Sequence, residues 1–179
     1  MFLFVSLAAG CDRPAGLSSI AKDTELLDEA AFEFRYPKDW KILSEEDRTQ
    51  PNQRITIYRF RHPTNRSCMI NIEVLSFSNR ALPPVREIIT REIRIYKDTF
   101  RNTGFGNFSF RTSSVSFADE DGTKLTMTGE NFGVTRATTI YIVGYKGSYY
   151  TISYTWFSHW KSGIENRLKE IVSTFLFAH

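Results

Sequence analysis

The chain has 179 residues, 41% of them hydrophobic and 15% aromatic, which is enough apolar side chain for one core and hardly enough for two. The 24% of charged residues, together with 15 Phe and 8 Tyr, exclude an intrinsically disordered protein, and the even spread of that charge excludes a multi-span membrane protein. Lys plus Arg number 23 against 20 Asp plus Glu, so a net charge of +3 provides no concentrated excess for tracking phosphates, and no nucleic-acid partner is expected.

In chain order, Met1 to Ala9 (MFLFVSLAA) is an uncharged apolar run, far shorter than the roughly 20 residues a helix needs to cross a bilayer. It ends in Leu7-Ala8-Ala9-Gly10-Cys11, small residues directly before a cysteine, and then meets the polar Asp12-Arg13-Pro14. This resembles a bacterial lipoprotein signal over residues 1–10, cut before Cys11. A thioether to diacylglycerol requires a sulfur nucleophile, and the cleaving peptidase requires small side chains beside it. The run lacks the positive n-region of an ordinary secretory signal, and the residue three before the cysteine is Ala8, where leucine is usual. Lipid on Cys11 makes residues 11–30 a tether, for which Pro14, Gly16, Ser18 and Ser19 are suited because they disfavour regular structure. Leading from it into the domain, Asp23 to Ala31 is expected to form a short adaptor helix capped by Asp23.

The folded domain is expected over 31–179. Phe32, Phe34 and Tyr36 alternate with polar residues as a half-buried strand requires, and Pro37 ends it. Lys38-Asp39-Trp40 reads as a turn that folds Trp40 back into the core. Arg54 to Arg61 and Cys68 to Phe77 are the next strands, joined by a connection with Pro63 and Asn65. After Pro83-Pro84, Val85, Ile89, Ile93, Tyr96 and Phe100 fall in one stripe at 100° per residue, which predicts an amphipathic helix stopped by Asn102-Thr103-Gly104. Period-two strands follow near Asn107 to Ala118, Thr123 to Thr128, Arg136 to Tyr145 and Ser148 to Phe157, with turns at Asp119 to Gly122 and Lys146-Gly147. In the first of them Phe108 and Phe110 are out of phase with Val115 and Phe117, which predicts a bulge or bend near Thr112 to Ser114. Ser162 or Gly163 opens a second helix, and Thr174 to Phe177 closes the chain as an extended segment.

Tyr36-Pro37-Lys38-Asp39-Trp40 after a first strand, a long central helix, the hairpin from Gly144 to Ile152, then Trp160 and a helix ending Ile171-Val172-Ser173-Thr174-Phe175 together resemble the PsbP-like superfamily. That group includes the photosystem II extrinsic protein, the Ran-binding Mog proteins and many bacterial lipoproteins. The resemblance implies an α+β fold, an α/β/α sandwich with a central antiparallel sheet flanked by helices. It implies no particular activity, because its members bind unrelated partners. The long photosystem-contacting extension of the plant protein has no counterpart in this sequence, so a photosynthetic role is not expected.

No catalytic constellation, metal set or cofactor motif is legible. His62 stands beside Pro63 in a turn, His159 precedes Trp160, and His179 is terminal. The acidic Asp119-Glu120-Asp121-Gly122 lacks the spaced ligand series of a calcium loop and reads as a hairpin turn. Cys68 reads as a small buried hydrophobe. Two features are candidate binding surfaces: the basic helix face of Arg86, Arg94, Lys97 and Arg101, suited to anionic lipid near the anchor, and a groove of aromatics (Tyr149, Tyr154, Trp156, Phe157, Trp160) at one sheet edge. The expectation is a non-catalytic bacterial envelope lipoprotein, lipid-anchored on the periplasmic or extracytoplasmic face, whose domain binds another envelope protein. The competing reading is a small-molecule carrier or weak hydrolase with a pocket between sheet and helix that contains His159 or Cys68.

Overall fold

The computed structural model describes residues 23–50, 53–65, 67–78, 81–160 and 163–178. Ten strands and two helices follow in the order β1 (Thr24–Glu29), β2 (Phe32–Pro37), β3 (Lys41–Gln50), β4 (Gln53–Arg61), β5 (Met69–Phe77), α1 (Val85–Asn102), β6 (Gly106–Phe117), β7 (Glu120–Asn131), β8 (Val134–Tyr145), β9 (Ser148–Phe157), α2 (Ile164–Val172) and β10 (Leu176–Phe177). A seven-stranded antiparallel sheet has the order β3-β4-β5-β9-β8-β7-β6, and a small three-stranded sheet has the order β1-β2-β10. Strands β6 to β9 are joined by three two-residue turns, at Ala118-Asp119, Phe132-Gly133 and Lys146-Gly147, each with positive φ at both positions. That backbone twist matches the twist of the flanking strands, which is why the hairpins close so tightly.

The two faces of the large sheet are covered differently. On one, α1 lies on β6, β7 and β8, and Ile88 packs with Leu75, Leu125, Met127, Ile140, Ile142 and Tyr149. The Tyr149 hydroxyl donates to the Pro83 carbonyl at 2.8 Å and pins the start of the helix. Near its other end Phe100 lies on Gly129, where a Cβ would stand 2.4 Å from the ring, so any larger residue there must displace Phe100. On the opposite face, α2 and the small sheet share one layer over Phe60, Ile70, Ile72, Tyr150, Ile152 and Tyr154. Phe32 and Phe175 stack at 5.1 Å within it. The Thr174 hydroxyl donates to the Arg35 carbonyl at 2.8 Å, tying the end of α2 to β2. The result is the expected α+β sandwich, with a small sheet added beside α2.

Several expectations need correction. Residues 24–29 are a strand paired along β2, from Thr24 opposite Pro37 to Glu29 opposite Phe32, so there is no adaptor helix at 23–31 and the ordered domain begins before residue 31. The strand partner outweighs the helix-forming Leu, Glu and Ala of DTELLDEAA. Strand β3 had no apolar alternation to announce it; it exists because Ile42 and its neighbours pair with β4. The irregularity in β6 lies between Gly106 and Ser109, not at Thr112 to Ser114, and pairing with β7 is continuous from Ser109 to Phe117. The phase change has another cause: Phe108 packs under α1 near the start of β6, whereas Val115 and Phe117 pack on the opposite face near its end. Trp40 is buried in the core beside α2, as its position after Pro37 predicts. The signal-like segment with Cys11, and His179, lie outside the described residues.

Candidate functional site

Between α1 and the sheet the packing is interrupted by a polar seam. Glu92 stands on the inner side of the helix, 3% exposed, and accepts from Arg91 Nη1 at 2.6 Å; Arg91 also pairs with Glu73 of β5. One turn along, the Tyr96 hydroxyl donates to Ser153 Oγ at 3.3 Å, and Asn71 Nδ2 donates to the same oxygen at 3.4 Å. Burial, and secondarily the Glu73 charge, push the Glu92 carboxyl up to about 7 against the opposing pull of Arg91. Burial opposes the Arg91 charge, and Glu73 and Glu92 more than restore it. Burial also raises the Tyr96 phenol to about 12. Farther along, the Arg136 guanidinium lies 4.8 Å from the Phe100 ring, and its Nη1 donates to Thr103 Oγ1 at 2.8 Å, closing the end of α1. The seam joins helix to sheet and holds a proton near neutrality, but it aligns no nucleophile with a base.

On the other face a cavity of about 230 Å³ lies between α2 and the β4–β5 connection, floored by Trp40, Cys68, Ile164, Leu168 and Ile171 and rimmed by Asp39, His62, Asn65 and Arg167. Its two chemically interesting groups are otherwise engaged. His62 Nδ1 accepts from the Asn65 amide at 3.1 Å and shapes its own turn, and burial raises the Cys68 thiol to about 11, which removes the thiolate at neutral pH. His159 is exposed near the Phe157 ring, at 5.7 Å, and is not part of this cavity. Among the described residues no cluster of metal-ligating side chains occurs, and no helix is long and apolar enough to cross a membrane.

The predicted surface residues separate into two groups. Arg86, Arg94, Lys97 and Arg101 are all exposed and run down the outward side of α1. None of them makes an ion pair with a described residue. Trp156 and Trp160 pack against the core on the α2 side, so the sheet stands between them and the basic stripe. The aromatic groove does not form, because β9 is the central strand of the large sheet: Tyr149 is buried under α1, and Tyr154 on the other face. The sequence reading missed Glu92, whose place on the inner side of the helix is the one polar break in the apolar stripe. It also missed Phe132, fully exposed at the β7–β8 turn.

No family model matches this sequence, and no curated protein does. Solved structures match its architecture. The solution structure of cyanobacterial PsbP (CyanoP) from Synechocystis sp. PCC 6803 aligns with a TM-score of 0.64 over 87% of this chain and 93% of that one, at 12% identity. This chain has the PsbP-like fold. More distant matches include a protein from Bacteroides thetaiotaomicron, with TM-score 0.49 and 15% identity over 88% of this chain and 48% of that one. Another is LpqN, described as involved in cell envelope biogenesis of Mycobacterium tuberculosis, with TM-score 0.43 and 12% identity over 87% of this chain and 91% of that one. At such identities the PsbP-like likeness is one of backbone layout, and function has to be argued from the side chains.

Proposed function

We propose that this protein is a non-catalytic bacterial envelope lipoprotein, held to a membrane by lipid on Cys11, whose PsbP-like domain binds another envelope protein. The observation that carries the binding half is the outward side of α1, where Arg86, Arg94, Lys97 and Arg101 stand exposed with no ion-pair partner among the described residues. The four cations stand together on one strip of the helix, with the exposed acids Glu87 and Asp98 beside them on its β5 side. The anchoring half rests on the Leu7 to Cys11 segment. The absence of catalysis is supported by the engagement of His62 in its turn and of Cys68 in the core.

Mass spectrometry of protein from its native membranes tests the anchor: the mature chain should begin at a lipid-modified Cys11, and an unmodified N-terminus that keeps Met1 overturns it. A photo-crosslinking side chain introduced at Thr90, within the stripe, tests the binding. It should trap one envelope protein repeatedly, with loss of the adduct in Arg94→Glu, and random adducts overturn the reading. The carrier alternative draws on the cavity beside Trp40 and Cys68. At about 230 Å³ it is smaller than the roughly 300 to 1,000 Å³ of usual ligand pockets, and its floor is apolar.

A further inference from the structure

The large sheet has two edges, and they are built in opposite ways. Edge strand β3 is interrupted by a register shift between Ile42 and Glu45, and its sequence runs through four consecutive charges, Glu45 to Arg48. Bulges and charges are the usual devices that keep an edge from pairing with another chain. Edge strand β6 carries neither beyond its first residues. From Ser109 to Phe117 it is continuously paired with β7 on one side, has a single charge, Arg111, and contains neither lysine nor proline. At ~3.4 Å per residue those nine residues present about 30 Å of regular edge.

Phe117 and Glu120 close a two-residue hairpin, so they form a hydrogen-bonded pair, and the alternation of an antiparallel ladder turns the amides and carbonyls of Phe110, Thr112, Ser114 and Ser116 outward. All four residues are exposed, and among the described residues no backbone bond reaches β6 from outside the sheet. Phe110, 55% exposed, gives this edge an apolar shelf on the α1 side.

What would occupy the edge follows from the charge above it. Arg91 marks the β5 flank of α1 through its pair with Glu73, and Phe100 marks the β6 flank through its ring contact with Phe108 at 5.5 Å. At 100° per residue, Arg86 and Lys97 fall between the β6 flank and the outward side, and Arg94 and Arg101 stand at the outward centre beside Glu87 and Asp98, so the α1 charges turned toward the β6 edge are basic. A second copy paired antiparallel on β6 would set two such stripes on one face, flanking the same seam, with like charges opposed. Residues 12–22 of this chain carry one acid, Asp12, against Arg13 and Lys22, and offer no complement either.

We infer that the β6 edge of the PsbP-like domain is a docking site for an extended acidic segment of a partner protein, which adds as an eighth strand with its acidic side chains under the α1 stripe. This rests on the partner-binding reading above and specifies its surface. Main-chain bonds to β6 supply the affinity of such strand addition, and the stripe supplies the preference for acids.

The test uses isotope-labelled full-length protein and a capped nine-residue peptide of alternating Glu and Val, followed by NMR. The peptide should shift the amides of Phe110, Thr112, Ser114 and Ser116 and slow their exchange, leaving β3 unmoved. A Lys-Val peptide should bind at least about tenfold more weakly, as should the Glu-Val peptide to Lys97→Glu. A peptide N-methylated at alternate residues, which cannot form the ladder, should not bind, and this arm does not depend on any variant folding. Thr112→Pro removes one outward N–H at a position where an edge strand tolerates proline, and should abolish binding with the circular dichroism unchanged. Absence of binding, equal binding of the Lys-Val or N-methylated peptide, shifts confined to α1, or a wild-type dimer that Thr112→Pro dissociates would each overturn the proposal. If the peptide fails while crosslinking from Thr90 still traps its envelope protein, only the edge is wrong; if both fail, so is the partner-binding reading.

Discussion

Glu92→Gln should make the protein more stable at alkaline pH and leave it nearly unchanged in mild acid. In the folded chain the Glu92 carboxyl titrates at about 7, and its ordinary value is 4.5. Between those values the folded state holds a proton that the unfolded state has released, so stability falls as pH rises through the window and the loss is complete above pH 7. A shift from 4.5 to about 7, at ~1.36 kcal/mol per unit, amounts to about 3 kcal/mol, and at 3% exposure solvent screening takes little from it. Glutamine keeps the shape and an oxygen for Arg91 Nη1 and loses only the titration. Urea unfolding of both proteins at pH 4.5 and pH 8 reads the difference, since groups common to the two cancel. The variant should gain about 3 kcal/mol relative to wild type between the two conditions. A difference that stays constant to within ~0.5 kcal/mol would refute the reasoning and show that Arg91 keeps Glu92 charged throughout.

Other substitutions probe the two cores. Trp40→Ala should destabilise by about 3 to 5 kcal/mol, toward the lower end because Trp40 already borders a cavity; chemical denaturation giving less than ~0.5 kcal/mol would mean that it is a surface side chain. Gly129→Ala places a methyl 2.4 Å from the Phe100 ring and should cost about 1 to 3 kcal/mol, whereas Gly129→Ala with Phe100→Leu should recover part of that in the same thermal melt. Cys68 should resist alkylation at pH 8 in the folded protein and react in urea; rapid labelling of the native chain would contradict its burial and its raised thiol pKa of about 11. Phe132→Ser should leave the melting temperature unchanged, because the ring touches no core.

The periodicities alone determined most of the elements. The α1 stripe, the strands from Arg136 to Phe157 and the turn at Lys146-Gly147 were legible because each element satisfies a local rule: 3.6-residue spacing for one buried helix side, alternation for a two-faced strand, positive φ for a tight hairpin. The chemistry of His62 and Cys68 was legible as ordinary for the same reason, since neither sits in a motif. What the tertiary structure decided is non-local. DTELLDEAA became a strand because β2 was there to pair with it, and KILSEEDRTQ became one because β4 was. The phase of β6 changed without a bulge at its middle because different layers cover its two ends. Trp156 and the basic stripe parted because alternate residues of a strand face opposite sides, and no count along the chain says which side a helix will cover. Glu92 acquired a proton near neutral pH only when α1 was laid on the sheet, since burial and the nearby charge of Glu73 are properties of the packed layers and not of the helix that carries it.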